Sequence, residues 1–183
     1  MRSYVMFTAL LLLCAARAAD EPRTVLPGSV PAIPFPGHLT AQLAHSHNPD
    51  ANIAVLELTL PPKTFGAPPH VHSREDEFFY VLEGTVHFLE REETVAAPAG
   101  TLMVLPRGHL HGFWNPTDEP ARMLLMISPG EFAGFFDEVV ARIKKENPDS
   151  PQKVGALLIE AAAKHDVQIH MDKVPEEARA FMK

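Results

Sequence analysis

The sequence predicts an all-β sandwich or barrel followed by two or three helices. Three observations lead there. Between His38 and Ser128 the chain is a succession of short apolar runs. These runs are cut at near-regular intervals by Pro61-Pro62, Glu83-Gly84, the charged run Glu90–Glu93, Pro98-Ala99-Gly100, Pro106–Gly108 and Asn115-Pro116. After Pro129-Gly130 the apolar residues switch to helical spacing. Many short strands at even spacing are the mark of a sandwich or barrel.

Taken in order, the chain opens on Arg2, an apolar run from Val5 to Ala16, and the small-x-small triplet Ala16-Arg17-Ala18. About a dozen apolar residues are too few to span a bilayer, where roughly 20 are needed. Residues 1–18 therefore read as a secretory signal peptide cleaved after Ala18, and the protein is expected to be exported, periplasmic or secreted. The only cysteine, Cys14, lies in that run. The mature chain then has no disulfide and relies on core packing. Residues 19–37 carry Pro22, Pro27, Pro31, Pro34 and Pro36. That spacing blocks helix and central strand alike, and predicts an extended arm lying over the barrel.

The barrel itself is expected over residues 38–128. Its strands are Leu39–His45, Asn52–Leu60, Glu77–Leu82, Val86–Leu89, Thr94–Ala97, Thr101–Leu105, Leu110–Trp114 and Ala121–Ile127. Residues 129–183 form a helical segment. Phe132, Phe135, Phe136, Val139, Val140 and Ile143 follow i, i+3, i+4, i+7 spacing. Ser150-Pro151 is a cap and first-turn pair for a second helix with Val154, Leu157, Leu158, Ala161 and Ala162 on its apolar face. A short third helix is expected from Pro175 to Met182. The Phe-rich stripe reads as a helix packing on the outside of a sheet rather than as a cofactor box.

Composition narrows the class of function. A chain of 183 residues, 46% hydrophobic, is long enough for one good core. With 16 basic and 23 acidic side chains, net −7, and no basic stripe with interleaved aromatics, nucleic acid is not an expected partner. Once the leader is removed, no membrane partner is expected either. A small-molecule substrate is. Edge strands and the proline-rich arm point to a homodimer.

The chemistry lies in two segments, PPHVHSREDEFFYVLEG and GTLMVLPRGHLHGFWN. His70 and His72 are two apart, so on an extended strand both imidazoles leave the same face. Glu77 begins the next apolar run. In the second segment Pro106-Arg107-Gly108 makes a tight turn, and His111 returns on the following strand. Inward faces of separate barrel strands converge, so His70, His72, Glu77 and His111 can meet around one ion. Three nitrogens and one anionic oxygen suit one divalent transition metal per chain, Mn, Fe, Co, Ni, Cu or Zn, and match Ca or Mg poorly. Four protein ligands also leave one or two coordination positions open, as a working site requires.

These segments resemble the paired signature of the cupin superfamily: Gly, His-x-His, Glu, Gly in the first and Gly, Pro-x-Gly, His, Asn in the second. The likeness is complete from His70 to Gly84 and from Gly100 to Asn115, about a quarter of the chain. Gly66 departs from it, lying nearer His70 than is usual. The resemblance implies a cupin, a double-stranded β-helix or jelly-roll barrel, here with two or three C-terminal α-helices packed outside. One copy of the signature implies a single barrel, a kind commonly dimeric. The first segment looks most like the single-domain cupins grouped with quercetin 2,3-dioxygenase. That implies a mononuclear dioxygenase acting on an enolic or phenolic small molecule, with Glu77 as ligand and proton acceptor. The same ligands would equally serve an oxygen-independent isomerase, decarboxylase or lyase, or a non-catalytic cupin that binds a small ligand or metal.

Around the ligands the expectations are broader. Asp76 replaces Glu77 if the strand slips by one, although the spacing to Gly84 favours Glu77. Strand parity makes Phe79, Val81 and Phe113 candidates to line the pocket. His109 shares His111's parity, but reads as a half-exposed turn residue. Arg74, Arg107 and Arg122 read as solvated rather than as anchors for an anion. His38, His45, His47, His87, His165 and His170 have no spacing that singles them out.

Overall fold

Alternation along the strands builds two facing sheets. The computed structural model describes residues 22–45 and 52–182; the leader expected over residues 1–18, with Cys14, lies outside them. The strands are β1 (Ile33–Phe35), β2 (His38–His45), β3 (Ala54–Leu60), β4 (Thr64–His72), β5 (Asp76–Glu83), β6 (Thr85–Glu90), β7 (Glu93–Pro98), β8 (Leu102–Leu105), β9 (His111–Asn115), β10 (Ala121–Ser128) and β11 (Val167–Ile169). They pair antiparallel in the orders β1-β2-β3-β10-β5-β8 and β11-β4-β9-β6-β7.

In β3, Ala54, Leu56, Leu58 and Leu60 face inward; in β10, Ala121, Met123, Leu125 and Ile127 do. The two strands pair Leu125 with Leu56, and β5 sets Phe79 opposite Leu125 on the other side. These side chains meet Val86, Phe88 and Phe113 of the second sheet in one continuous core. Each large apolar side chain so buried stabilises the fold by about 1.5–3 kcal/mol.

Three strands lie outside the eight expected. The longest, β4, is interrupted by Pro68-Pro69, residues without a ladder N–H. The structure accommodates them in a bulge: Ala67 pairs with Phe113 and His70 with His111, so β4 carries one more residue than β9 over this stretch. Gly112 makes room for it, since a Cβ there would stand 3.0–3.2 Å from the backbone of Ala67, Pro68 and Pro69. The arm contributes β1 at the sheet edge, where prolines are tolerated. The third, β11, is only three residues long.

After β10 a 3-10 turn (Gly130–Ala133) leads into α1 (Gly134–Glu146), followed by α2 (Pro151–Lys164) and α3 (Glu176–Arg179). Ser150 caps α2 by accepting a hydrogen bond from the Lys153 N–H, with Pro151 in the first turn. Asn147 ends α1 in the left-handed conformation, as C-terminal caps often do. The helices pack against the barrel from outside. Their apolar faces, through Phe132, Phe135, Phe136, Leu157 and Ala161, join the same core as the strands. Among the described residues no helix is long and apolar enough to cross a membrane.

Candidate metal centre

The side chains expected to gather do gather. Ligand atoms of His70, His72, Glu77 and His111 all lie within 4.8 Å of one another. His70 and His72 come from β4, His111 from the adjacent β9, and Glu77 from β5 in the opposite sheet, so the cluster ties the two sheets together. His70 pairs directly with His111. Glu77 points inward because it shares the parity of Phe79 and Val81 along β5. Asp76, one residue earlier, turns outward to Arg107, whose guanidinium donates to both carboxylate oxygens at 2.8 and 2.9 Å. That pairing holds the Asp76 carboxyl at about 2 and leaves Glu77 to the interior.

Each imidazole is oriented by a second contact. His70 Nδ1 lies 2.7 Å from the Pro68 carbonyl, His111 Nδ1 3.0 Å from the His109 carbonyl, and His72 Nδ1 3.0 Å from a carboxylate oxygen of Glu75. All three partners only accept, so each Nδ1 carries the proton and each Nε2 presents its lone pair to the centre. Glu75 is itself 1% exposed, a buried carboxylate with no other evident task than holding His72 and meeting Arg74 at 3.5 Å.

This arrangement demands positive charge. His72 Nε2 is buried without a hydrogen-bond partner and stands 3.6 Å from Glu77 Oε1. His111 Nε2 lies 3.0 Å from Glu77 Oε2. Two acceptors at that distance repel unless a proton or a metal ion joins them. Burial pushes the Glu77 carboxyl up, but His72, His111 and His70 outweigh it and bring it to about 2. Burial likewise disfavours charge on His72, yet Glu77 and Glu75 together raise it. His70, buried and flanked by His111 and His72, is pushed well below its ordinary value. Three lone pairs and a carboxylate closed off from water fit a transition-metal dication.

The cluster opens on a cavity of about 70 Å³, also lined by Phe79 and Phe113. Val81, expected beside them, is fully buried but does not line it. Parity gives a side chain's face and not its depth: Val81 lies two residues further along β5, beyond the packed rings of Phe79, Phe88 and Phe113. Gly66 makes the floor possible, because a Cβ there would meet the Phe113 ring at 2.5 Å.

The opposite wall adds to the reading of the Phe stripe. Phe132, Phe135 and Phe136 do pack from outside the sheets, and they also line the cavity. The Phe132 ring stands edge-on to His72 at 4.6 Å. Strand β11 pairs with the ligand strand itself, Val167 opposite His72 and Ile169 opposite His70. A wider groove of about 1120 Å³ adjoins the cavity and shares Pro36, Gly66, Pro68, Leu158 and Ile169 with it.

One further polar residue lines the cavity, His38 at the start of β2. A lone histidine at a strand start carries no spacing signal; only its shared parity with buried Thr40 hints at an inward position. The other side residues stay away from the cavity. His109 is exposed, Arg74 bridges Glu75 and Asp166, and Arg122 bridges Glu57 and Glu83.

Comparison with known proteins agrees with the fold. Residues 56–127 match the Cupin domain family. Among solved structures the chain is similar to KdgF from Halomonas sp., at 18% identity and TM-score 0.52, over 60% of this chain and 94% of that one. It is similar to a conserved protein with a double-stranded β-helix domain from Klebsiella pneumoniae, at 17% identity and TM-score 0.50, over 60% and 92%. A predicted oxalate decarboxylase from Thermotoga maritima gives 21% identity and TM-score 0.50, over 57% and 97%. At such identities the likeness is one of fold. No curated protein matches the chain in sequence. The segment that holds all four clustered side chains thus matches the Cupin domain family, and the two antiparallel sheets around it, with the C-terminal helices, have a cupin fold.

Proposed function

We propose that this protein is a metal-dependent oxygenase acting on a compact enol or phenol. The observation that carries the reading is a cavity whose polar end is His70, His72 and Glu77 of the four-residue cluster, and whose remaining wall is almost wholly apolar. No Lys or Arg is among the residues lining it. A phosphorylated or polycarboxylic guest would find no cationic side chain along the rest of the wall, and charge left against phenyl rings is costly in a buried site. A neutral ring or enol with a hydroxyl group suits it. The volume, about 70 Å³, falls well short of the roughly 300–1,000 Å³ typical of pockets for drug-sized ligands. That favours a single ring over a flavonol.

When bound, a divalent transition metal supplies a Lewis acid that lowers the pKa of an enol or phenol hydroxyl. Glu77 is the one carboxylate lining the cavity, so on this reading it takes that proton. Phe79, Phe113 and Phe132 keep water from the deprotonated guest. On this reading residues 1–18 are a cleaved signal peptide, and the site acquires its metal outside the cytoplasm.

The test is oxygen uptake by protein matured in its exported compartment, offered a panel of small phenols and enols. The reading expects uptake in step with product, and its loss in Glu77→Gln while much of the metal is retained. Product without oxygen uptake would assign an isomerase, decarboxylase or lyase instead. Saturable binding without product would assign a carrier.

A further inference from the structure

The cavity holds a second polar position that the four ligands do not account for. His38 is 5% exposed, and its ring is surrounded by aromatic ones: stacked on Phe35 at 4.9 Å, 6.0 Å from Phe113 and 6.2 Å from Phe136. Its Nδ1 lies 2.9 Å from Thr40 Oγ1. A neutral imidazole has one donor nitrogen and one acceptor nitrogen. If the Thr40 hydroxyl donates to Nδ1, then Nε2 carries the proton and is a donor. If the hydroxyl accepts, Nε2 is an acceptor. In either tautomer Nε2 is the ring nitrogen left over from the Thr40 pairing, on a residue that lines the cavity.

The neutral form is the relevant one. Burial lowers the His38 pKa to about 4, against a smaller opposing pull from the Leu39 backbone. A hydrogen-bonding nitrogen that is neutral near pH 7, set in a phenyl-lined wall, recognises an uncharged oxygen rather than an anion. No other residue on the apolar side of the cavity offers such a group: its neighbours there are Phe35, Phe132, Phe135, Phe136, Leu158 and Val167.

We propose that His38 is a substrate-binding residue that holds a second oxygen of the guest, so that the substrate is a compact enol or phenol carrying two oxygens, one directed to the His70, His72, Glu77 and His111 cluster and one to His38. The proposal rests on the reading of that cluster as a metal centre for a phenolic or enolic oxygen, and it deepens that reading by naming the substrate class. Thr40 then acts through His38, as a positioning residue that fixes the ring.

The experiment is a binding series on zinc-loaded protein, followed by calorimetry, with phenol, catechol, resorcinol and hydroquinone as probes. Wild type is expected to bind at least one of the three diols roughly fivefold to tenfold more tightly than phenol, the worth of about one hydrogen bond. In His38→Phe, which keeps an aromatic ring among aromatic rings, that advantage disappears while phenol binding stays. Thr40→Val is expected to reduce the advantage in part, and His38→Gln, which keeps an amide donor, to retain part of it. Thermal unfolding of each variant identifies any that fails to fold, and the remaining variants then decide. A merely structural His38 would weaken phenol and the diols equally. That result, or a diol advantage that survives in His38→Phe, would overturn the proposal and leave the metal-centre reading standing. Phenol binding without any diol advantage in wild type would do the same. If loaded wild type binds none of the four probes, the underlying reading falls and this one with it.

Discussion

One wall of the cavity is built to hold charge and the facing wall to exclude it. On the first, β4 and β5 present His70, His72 and Glu77, with His111 of β9 completing the cluster behind them, and every imidazole has its Nδ1 tied to an oxygen acceptor. On the second, β1, α1, α2 and β11 contribute phenyl rings and aliphatic side chains, with His38 alone able to form a hydrogen bond to a guest. The difference teaches how a small barrel separates two tasks. Antiparallel strands fix side chains at short, regular spacings, which suits a ligand set that must converge on a point. Helices packed from outside the sheets supply area and shape, which suits the exclusion of water.

The comparison can be broken most severely from the polar side. Replacing His72 or His111 by Ala removes a donor from the cluster and leaves Glu77 with less to balance it; on the metal-centre reading, affinity is expected to fall by more than about 100-fold, beyond the loss typical of an outer contact. Equilibrium dialysis with zinc or manganese measures this, and affinity within a few fold of wild type would contradict the assignment.

His38 tests the other wall through pH. The unfolded chain takes up a proton at this residue near its ordinary value of 6.5, the folded chain only near 4. Stability is therefore lost as pH falls from 6.5 towards 4 and changes no further through this group below that. Over the whole window the effect is at most about 3 kcal/mol. His38→Phe should flatten that part of the stability profile in denaturant unfolding; an unchanged slope would show that His38 takes up its proton as readily in the folded protein as in the unfolded chain.

Glu75→Gln sharpens the polar wall at its outer layer. The amide no longer offers a charged acceptor to His72 Nδ1, and metal affinity is expected to drop roughly 10- to 100-fold. The isolated effect of Phe132→Leu is smaller. Losing the edge-on contact with His72 at 4.6 Å should cost about 1 kcal/mol of stability by thermal unfolding, with little change in metal affinity. A large change in affinity would mean that the two walls are not separable.

The polar wall was legible in the sequence and the apolar one was not, for physical reasons. His70 and His72 at a spacing of two, Glu77 opening an apolar run and His111 after Pro106-Arg107-Gly108 make a pattern that only converging strands explain. The fold class followed from the same strand punctuation. Helical spacing of Phe132, Phe135 and Phe136, by contrast, says that one face is buried and is silent about what it buries. Pro68-Pro69 hid β4, because a bulge that tolerates prolines depends on Gly112 across the ladder. Val81 shared the right parity and lay too deep. His38 had no neighbour in the chain to mark it, and its role depends on Phe35 and Phe136, which tertiary packing alone brings to it.

The most direct test of the central claim is elemental analysis of protein matured in its exported compartment, never exposed to chelator or to an affinity metal, set beside the His72→Ala and His111→Ala variants. The account predicts close to one transition-metal ion per wild-type chain and a sharp loss in both variants. A wild-type protein that carries no metal and takes up none on dialysis, or variants that keep a full complement, would contradict it.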